Sequence, residues 1–429
     1  MRIVGSTKGI IVAVLGAALA SGCMLFRAQE DLKTVELLTQ ITGTVEATTT
    51  GNPPVVVGLF LEENGRKSLA RYYVRRGSGP FQFQVTAGSY HVFAWEDRNE
   101  NLRYDEGEPA YYVGGRQAPL TATPGTKLDV GRIRLSTAVP AGIAELRAAA
   151  RQDAGASPDL KRLHRGTLTN WDDPRFRPEA GAEGMWTPHE SLDKYGAGIF
   201  FFESYDPARV PVVFVHGIND TAYGFKTVID NLDRTRFQAW VFQYPSGARL
   251  DLISDILARI LDELQTRYKI DRYAIVAHSL GGLVTRGAVN QIVQRGGANP
   301  IALYITISTP WEGHPAAEMG TKISPVVLPV WFDMSPGSPY LARLFKTQLP
   351  DTLPYYLFFG YEGGSGTDGK VTLQSMLDMA AQDQSQRIVA FRGDHMSVLQ
   401  SKEVIDRLNA LLLRHAARES RGQTPLKDR

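Results

Sequence analysis

The chain has 429 residues, 43% hydrophobic and 21% charged, an ordinary globular composition able to bury sizeable cores in about two or three domains. Its 47 basic residues against 45 acidic ones leave a net charge of +2, so no strong field recruits nucleic acid. The single cysteine excludes an internal disulfide and any metal cluster built from cysteines.

Arg2 and Lys8 flank the start of an apolar run, Gly9 to Ala20, that is too short to span a bilayer as a stable helix. It ends in Leu19-Ala20-Ser21-Gly22-Cys23, and Cys23 is the one cysteine of the chain. This stretch resembles a bacterial lipoprotein signal, in which small residues precede a cysteine that is lipidated and becomes the new first residue. It departs from that pattern at Ala20, where leucine is commonest. The resemblance implies a signal peptide over 1–22 and a membrane anchor on Cys23, stable because more than one acyl chain is attached. Met24, rather than an aspartate, points to the outer membrane of a Gram-negative cell envelope. The competing reading is a plain secretory signal with an incidental cysteine. Residues 23–37 are polar enough to serve as a tether.

Between 38 and 137 the pattern is short strands separated by turn residues: ITGTVEA, PVVVGLFLE, SLARYYVRR, PFQFQVTAG, YHVFAWED, AYYV and KLDVGRIRL. Phe81 to Val85 alternates with period two, as a half-buried strand does. These strands predict a small all-β sandwich, similar at the level of fold to transthyretin-like domains that precede secreted enzymes. Within it, Asp97, Asn99, Asn101, Asp105 and Glu108 fall at positions 1, 3, 5, 9 and 12 of a polar loop, the register of a calcium-binding EF-hand. Leu102 stands where that loop needs glycine, and no helices flank it. The loop is therefore a candidate structural Ca2+ site or a solvated turn whose side chains bond their own backbone.

Residues 138–195 combine an alanine-rich helical stretch, a Gly/Pro break and a proline- and aromatic-rich run, read as a linker and lead-in segment. From 196 to 418 strands and helices alternate, which predicts an α/β domain with a mostly parallel sheet flanked by helices. The final stretch, 419–429, is charged and expected to fray into a disordered tail.

The chemistry centres on Tyr273 to Gly282, YAIVAHSLGG. An apolar run reads as a buried strand, Ser279 follows it, small residues surround the serine, and a helical stretch comes next. That is the context of a nucleophile elbow, in which a strained turn requires small residues two before and two after the serine. Ala277 and Gly281 satisfy the requirement. A second buried strand, ending Val213-Phe214-Val215, runs into His216-Gly217-Ile218-Asn219. Gly217 allows close approach to a substrate, and the backbone N–H groups of Ile218 and Leu280 are the candidate oxyanion donors.

In elbow-bearing enzymes the acid and the base follow the serine in the chain. Of the histidines after Ser279, His314 follows a strand that is one too early and His415 falls in the closing helix. His395 lies in the loop after the strand Arg387 to Phe391 and is the candidate base. Asp368, in the glycine-rich loop after Tyr355 to Phe359, is the candidate acid, with Glu362 as the alternative. Asp394 adjoins His395, and neighbours rarely orient each other's rings.

With these features together, 196 to 413 resembles the α/β-hydrolase superfamily. AHSLGG, VHGIND, Ser308-Thr309-Pro310, DMSPGSPYL at 333–341 and TDGKV at 367–371 are similar to the bacterial lipase, lecithin–cholesterol acyltransferase and GPI inositol-deacylase-like esterase group. The resemblance implies a serine hydrolase, a lipase or carboxylesterase, with a Ser279-Asp368-His395 triad, an acyl-enzyme intermediate and no cofactor required for catalysis. Residues 311–350, including Trp311, form an apolar insertion read as a cap or acyl-binding wall that favours hydrophobic or lipid esters. The rival readings are an acyltransferase or amide hydrolase using the same triad, and a non-catalytic envelope-binding lipoprotein.

Overall fold

The computed structural model describes residues 24–113, 118–138, 142–152, 162–296, 299–364 and 366–417. The expected signal peptide, Cys23 and the tail at 419–429 lie outside the described residues. Among the described residues no helix is long and apolar enough to cross a membrane.

Residues 24–36, expected to be a tether, form a helix, α1. Leu25, Ala28 and Leu32 recur at helical spacing, and Ala28 is fully buried while its two neighbours pack on the large core described below. Asp31 accepts hydrogen bonds from the backbone N–H groups of His189 (3.0 Å) and Glu190 (2.7 Å), and Arg27 pairs with Glu190 at 2.7 Å.

Among the described residues the next region holds eight strands: β1 (Thr39–Glu46), β2 (Pro54–Glu63), β3 (Arg66–Arg76), β4 (Gly79–Val85), β5 (Gly88–Glu96), β6 (Ala110–Tyr112), β7 (Leu120–Ala122) and β8 (Lys127–Arg134). One sheet has the order β4-β1-β8 and the other β3-β2-β5-β6, with β7 also paired to β5. The alternation read in the sequence is what lets the sheets share a core. Ile41 and Val45 of β1 and Phe81, Phe83 and Val85 of β4 face Val55, Val57 and Leu59 of β2 and Val92 and Ala94 of β5. The three-residue β7 was not expected, because so short a strand carries no readable period. Helix α2 (Ile143–Gln152) covers the other face of the larger sheet through Ile143 and Leu146.

The candidate calcium loop is closed on itself. Asp97 accepts from the N–H groups of Asn101 (3.0 Å) and Leu102 (2.8 Å), and Glu108 accepts from those of Arg98 (2.8 Å) and Asp105 (2.9 Å). The side-chain amides of Asn99 and Asn101 both donate to Asp105. Among the described residues no group of three or more His, Cys, Asp or Glu is arranged to hold a metal ion. The spacing that suggested a cation serves turn geometry instead.

Besides α2, the segment expected as a linker and lead-in contributes β9 (Leu163–Leu168) and two further helices, α3 (Pro178–Trp186) and α4 (Pro188–Tyr195). Each helix has proline in its first turn, where the missing N–H costs nothing. Thr187 makes no side-chain cap for α4, and the carboxylate of Asp31 supplies it from α1. Then follow β10 (Ala197–Phe201), β11 (Val210–Val215), α5 (Lys226–Asp230), β12 (Phe237–Gln243), α6 (Leu250–Tyr268), β13 (Tyr273–His278), α7 (Leu280–Gln294) and β14 (Ile301–Ile307). After β14 come α8 (Pro315–Ile323), α9 (Pro329–Met334), α10 (Pro339–Leu344), β15 (Tyr355–Tyr361), β16 (Arg387–Arg392) and α11 (Lys402–Leu411).

The eight strands β9 to β16 form one sheet of order β16-β15-β14-β13-β11-β12-β10-β9. It is parallel from β16 through to β12, and β10 turns antiparallel to β12. One face is covered by α6, α7 and the 311–350 insertion, the other by α5 and α11. Strands buried on both faces explain the unbroken apolar runs in the sequence.

The two regions meet through a polar seam. Tyr72 and Tyr73 of β3 donate to Glu263 (2.7 Å) and Asp255 (3.0 Å) of α6, Arg165 of β9 pairs with Glu263 at 2.7 Å, and Arg259 stacks over the Tyr73 ring.

Candidate active site

Ser279 sits between β13 and α7 with φ 54° and ψ −127°. Positive φ in a non-glycine residue costs on the order of 1–3 kcal/mol, and the surroundings leave no alternative. A side chain at Gly281 would place Cβ 2.3 Å from the Val215 carbonyl oxygen and 2.6 Å from that of His216. At Gly217 a Cβ would stand 2.9 Å from the Cβ of Ser279, so the His-Gly loop lies directly against the serine. Ile218 follows on that loop. The N–H of Leu280 belongs to the first turn of α7, where no helical carbonyl can reach it.

The loops after β15 and β16 bring two further groups to the serine. His395 Nε2 lies 2.9 Å from Ser279 Oγ, and His395 Nδ1 lies 2.6 Å from Asp368 Oδ2. A carboxylate only accepts, so Nδ1 carries the proton and Nε2 is left to accept from the serine hydroxyl. All three residues are buried, Ser279 at 4%, His395 at 5% and Asp368 at 0% exposed.

Asp368 is fixed on several sides. Its Oδ1 accepts from the N–H groups of Val371 (2.8 Å) and Lys370 (3.1 Å), and its carbonyl accepts from the N–H of His395 at 2.8 Å. Gly369, at φ 88°, turns the chain so that these N–H groups point back. Burial pushes its carboxyl pKa up, and the hydrogen bonds from His395, Val371 and Lys370 more than offset this, holding it below the usual range.

His278, the residue before Ser279, makes a contact of its own. Its Nε2 lies 2.8 Å from the carbonyl oxygen of His395, so it donates there and clamps the loop that carries the imidazole. Burial, with the nearby His395 ring, depresses its pKa to about 3, which keeps it neutral. His216 is likewise neutral, depressed to about 4 by burial. It donates from Nδ1 to the Gly217 carbonyl (2.9 Å) and stacks on Tyr244, whose hydroxyl donates back to its carbonyl at 2.8 Å.

The residues set aside in the sequence lie elsewhere. His314 donates to the Lys370 carbonyl, His415 bonds the Tyr356 hydroxyl, Asp394 caps the turn at Met396 and Ser397, and Glu362 is exposed beside Gly369. Trp311 is buried in the core with its ring edge-on to Phe345 at 5.4 Å.

One group escaped the sequence reading. Asp220 lies two residues beyond Ile218, and burial raises its pKa to about 6 against the opposing pull of Lys370 and His395. Its Oδ2 is buried without a hydrogen-bond partner among the described residues. An aspartate in a loop gives no sign of this before its neighbours are placed.

A mostly parallel sheet, a strained serine at a strand-to-helix turn, and acid and base loops from the next strand ends form one arrangement. The fold is that of an α/β-hydrolase. The model of the family described as "Alpha/beta hydrolase family" matches residues 212–407, from within β11 to within α11, and leaves the two-sheet region outside the match. Among solved structures the hydrolase fold here is similar to the lin2722 gene product of Listeria innocua (16% identity, 49% of this chain, 96% of that chain, TM-score 0.38). It is also similar to the Bacillus licheniformis lipase BlEst2 in mature form (19%, 49% and 94%, TM-score 0.36). A third similar structure is the Paleococcus ferrophilus monoacylglycerol lipase (15%, 48% and 92%, TM-score 0.35). A search of curated protein sequences finds no match.

Proposed function

We propose that this protein is a serine hydrolase of carboxylic esters with hydrophobic acyl groups, held at the outer membrane by a lipid on Cys23. The observation that carries the reading is the hydrogen-bonded line from Ser279 Oγ through the His395 ring to Asp368, at 2.9 Å and 2.6 Å.

In the proposed reaction His395 Nε2 takes the Ser279 proton as Oγ attacks the ester carbonyl carbon. Asp368 holds the ring tautomer and stabilises the imidazolium. The N–H groups of Ile218 and Leu280 receive the oxyanion, a contribution of roughly 10²–10³ in rate per donor. The imidazolium returns its proton to the leaving alcohol, and the acyl group stays on Oγ. Water, deprotonated by the same nitrogen, then releases the acid and regenerates the serine. The preference for hydrophobic esters is supported by the insertion that carries α8, α9 and α10, whose Val330, Met334, Tyr340, Leu341 and Leu344 join the core on the face of the sheet that carries α7.

The test is hydrolysis of a chain-length series of p-nitrophenyl esters and of phospholipid vesicles by wild type and Ser279→Ala. The reading predicts turnover that rises with acyl length and disappears in the variant. Turnover retained in Ser279→Ala contradicts it.

A further inference from the structure

A second site lies away from the serine. Between the outer face of the β4-β1-β8 sheet and the helices α6 and α7 runs an open cleft of about 810 Å³. Pockets of this order hold small-molecule or oligomeric ligands. Gln291, on its helical wall, is twelve positions after Ser279, about 18 Å away along α7 at 1.5 Å per residue. A ligand seated there leaves the catalytic serine free.

The sheet wall follows from alternation. Ile41 and Val45 of β1 and Phe81 and Phe83 of β4 point into the two-sheet core, so Gln40, Thr42, Thr44, Gln82 and Gln84 must point out. The register aligns them in rows: Gln40 is opposite Gln84, and Thr42 is opposite Gln82. Directly opposite side chains stand about 5 Å apart. The amides of Gln40, Gln82, Gln84 and Gln291 have no hydrogen-bond partner among the described residues, and each brings two donors and an acceptor.

The charged residues of the cleft, Asp129 apart, are by contrast already engaged; Asp129, exposed on β8 opposite Thr42, accepts from the Gly131 N–H at 3.0 Å and forms no ion pair among the described residues. Arg249 pairs with Asp333 at 2.8 Å, Asp251 with Arg343, Asp255 with Arg259 at 3.0 Å, and Arg295 with Asp262. Arg75 gives its guanidinium to the carbonyls of Gly77, Ser78 and Pro80. What remains free is a grid of neutral groups that both donate and accept, edged by the one carboxylate of Asp129, which can accept from a hydroxyl.

From this we propose that the cleft binds a neutral, hydroxyl-rich saccharide chain, so that the protein docks on a glycan through its two-sheet region while the serine acts elsewhere. Sugar hydroxyls, like amides, donate and accept together, so each can pair with a glutamine without a charge to neutralise. A nucleic acid would need unpaired basic side chains for its phosphates, and the arginines here are committed. A peptide strand gains most of its affinity from main-chain bonds to an open sheet edge, whereas this wall is a sheet face.

The experiment titrates the full-length protein in detergent with cellohexaose, maltohexaose, chitohexaose and a neutral Gly-Ser-Ala peptide of the same length, read by calorimetry. The proposal predicts saturable binding of at least one of the sugars. Gln40→Ala/Gln84→Ala, which removes two of the free amides, weakens that binding roughly tenfold while ester hydrolysis and thermal midpoint stay at wild-type values. Absence of saturable sugar binding, equal binding by the double variant, or tighter binding of the peptide overturns it.

Discussion

The described residues contain two acid–histidine–hydroxyl chains, and only one of them has the setting of the proposed reaction. In the hydrolase fold Asp368, His395 and Ser279 stand in line at 2.6 Å and 2.9 Å. In the two-sheet region Glu62 Oε2 lies 2.5 Å from His91 Nε2, and His91 Nδ1 lies 2.7 Å from the Tyr112 hydroxyl. The hydrogen-bond logic is the same, with the carboxylate fixing the tautomer and the free nitrogen accepting from a hydroxyl. The settings differ. Glu62, His91 and Tyr112 come from the middle and ends of antiparallel strands with ordinary backbone angles. Ser279, Asp368 and His395 come from loops at the carboxyl ends of parallel strands, and the serine carries positive φ at the head of a helix with orphan N–H groups. Orientation of a hydroxyl by an imidazole is a common packing solution. Strain and unpaired donors beside it are what the proposed reaction centre adds to that solution.

The sharpest test of that contrast removes each hydroxyl. Ser279→Ala lowers ester turnover by about 10⁶-fold, on the scale seen when a triad serine is lost, whereas Tyr112→Phe leaves it unchanged. Steady-state kinetics on a soluble ester measures both. Removing each acid comes next. Asp368→Asn lowers kcat by about 10⁴-fold because the amide favours the wrong tautomer, and Glu62→Gln leaves kcat at the wild-type value. A smaller effect probes how closely the His-Gly loop abuts the serine. Gly217→Ala puts a methyl 2.9 Å from the serine Cβ and displaces it, with a loss of roughly 10²-fold in kcat at unchanged fold by circular dichroism.

The smallest effect is on stability. His216 and His278 have folded pKa values depressed to about 4 and about 3, first of all by burial, against an ordinary 6.5. The unfolded chain therefore binds protons that the folded chain refuses. The stability they support is intact above pH 6.5 and is lost as pH falls, by about 1.4 kcal/mol per histidine for each unit. Urea unfolding at pH 7.5 and pH 5 should show the C-terminal region losing stability in acid. An unchanged midpoint contradicts the burial of these rings as neutral groups.

Much of the reactive side was legible in the sequence, because each of its residues is announced by a strand end. Ser279, Gly217, Asp368 and His395 all lie in turns or loops after apolar runs, with glycine or another small residue at the position itself or within two residues of it, and turn geometry forces that combination. Less was legible where long-range contacts decide. The β9 strand, LHRGTL, is polar and contains Gly166, and only its pairing with β10 makes it part of the sheet. The α1 helix holds its place through Asp31, whose partners are 158 and 159 residues away. The polar loop at Asp97 to Glu108 shows the converse. A spacing that fits a cation also fits a turn bonding its own N–H groups, and the sequence does not distinguish them.

The most direct measurement of the central claim is covalent labelling by a fluorophosphonate, followed by peptide mass spectrometry. The account predicts one modified residue in the folded protein, Ser279, with labelling abolished by urea and by His395→Ala. Folded protein that stays unlabelled, or that carries the label on another residue, contradicts it.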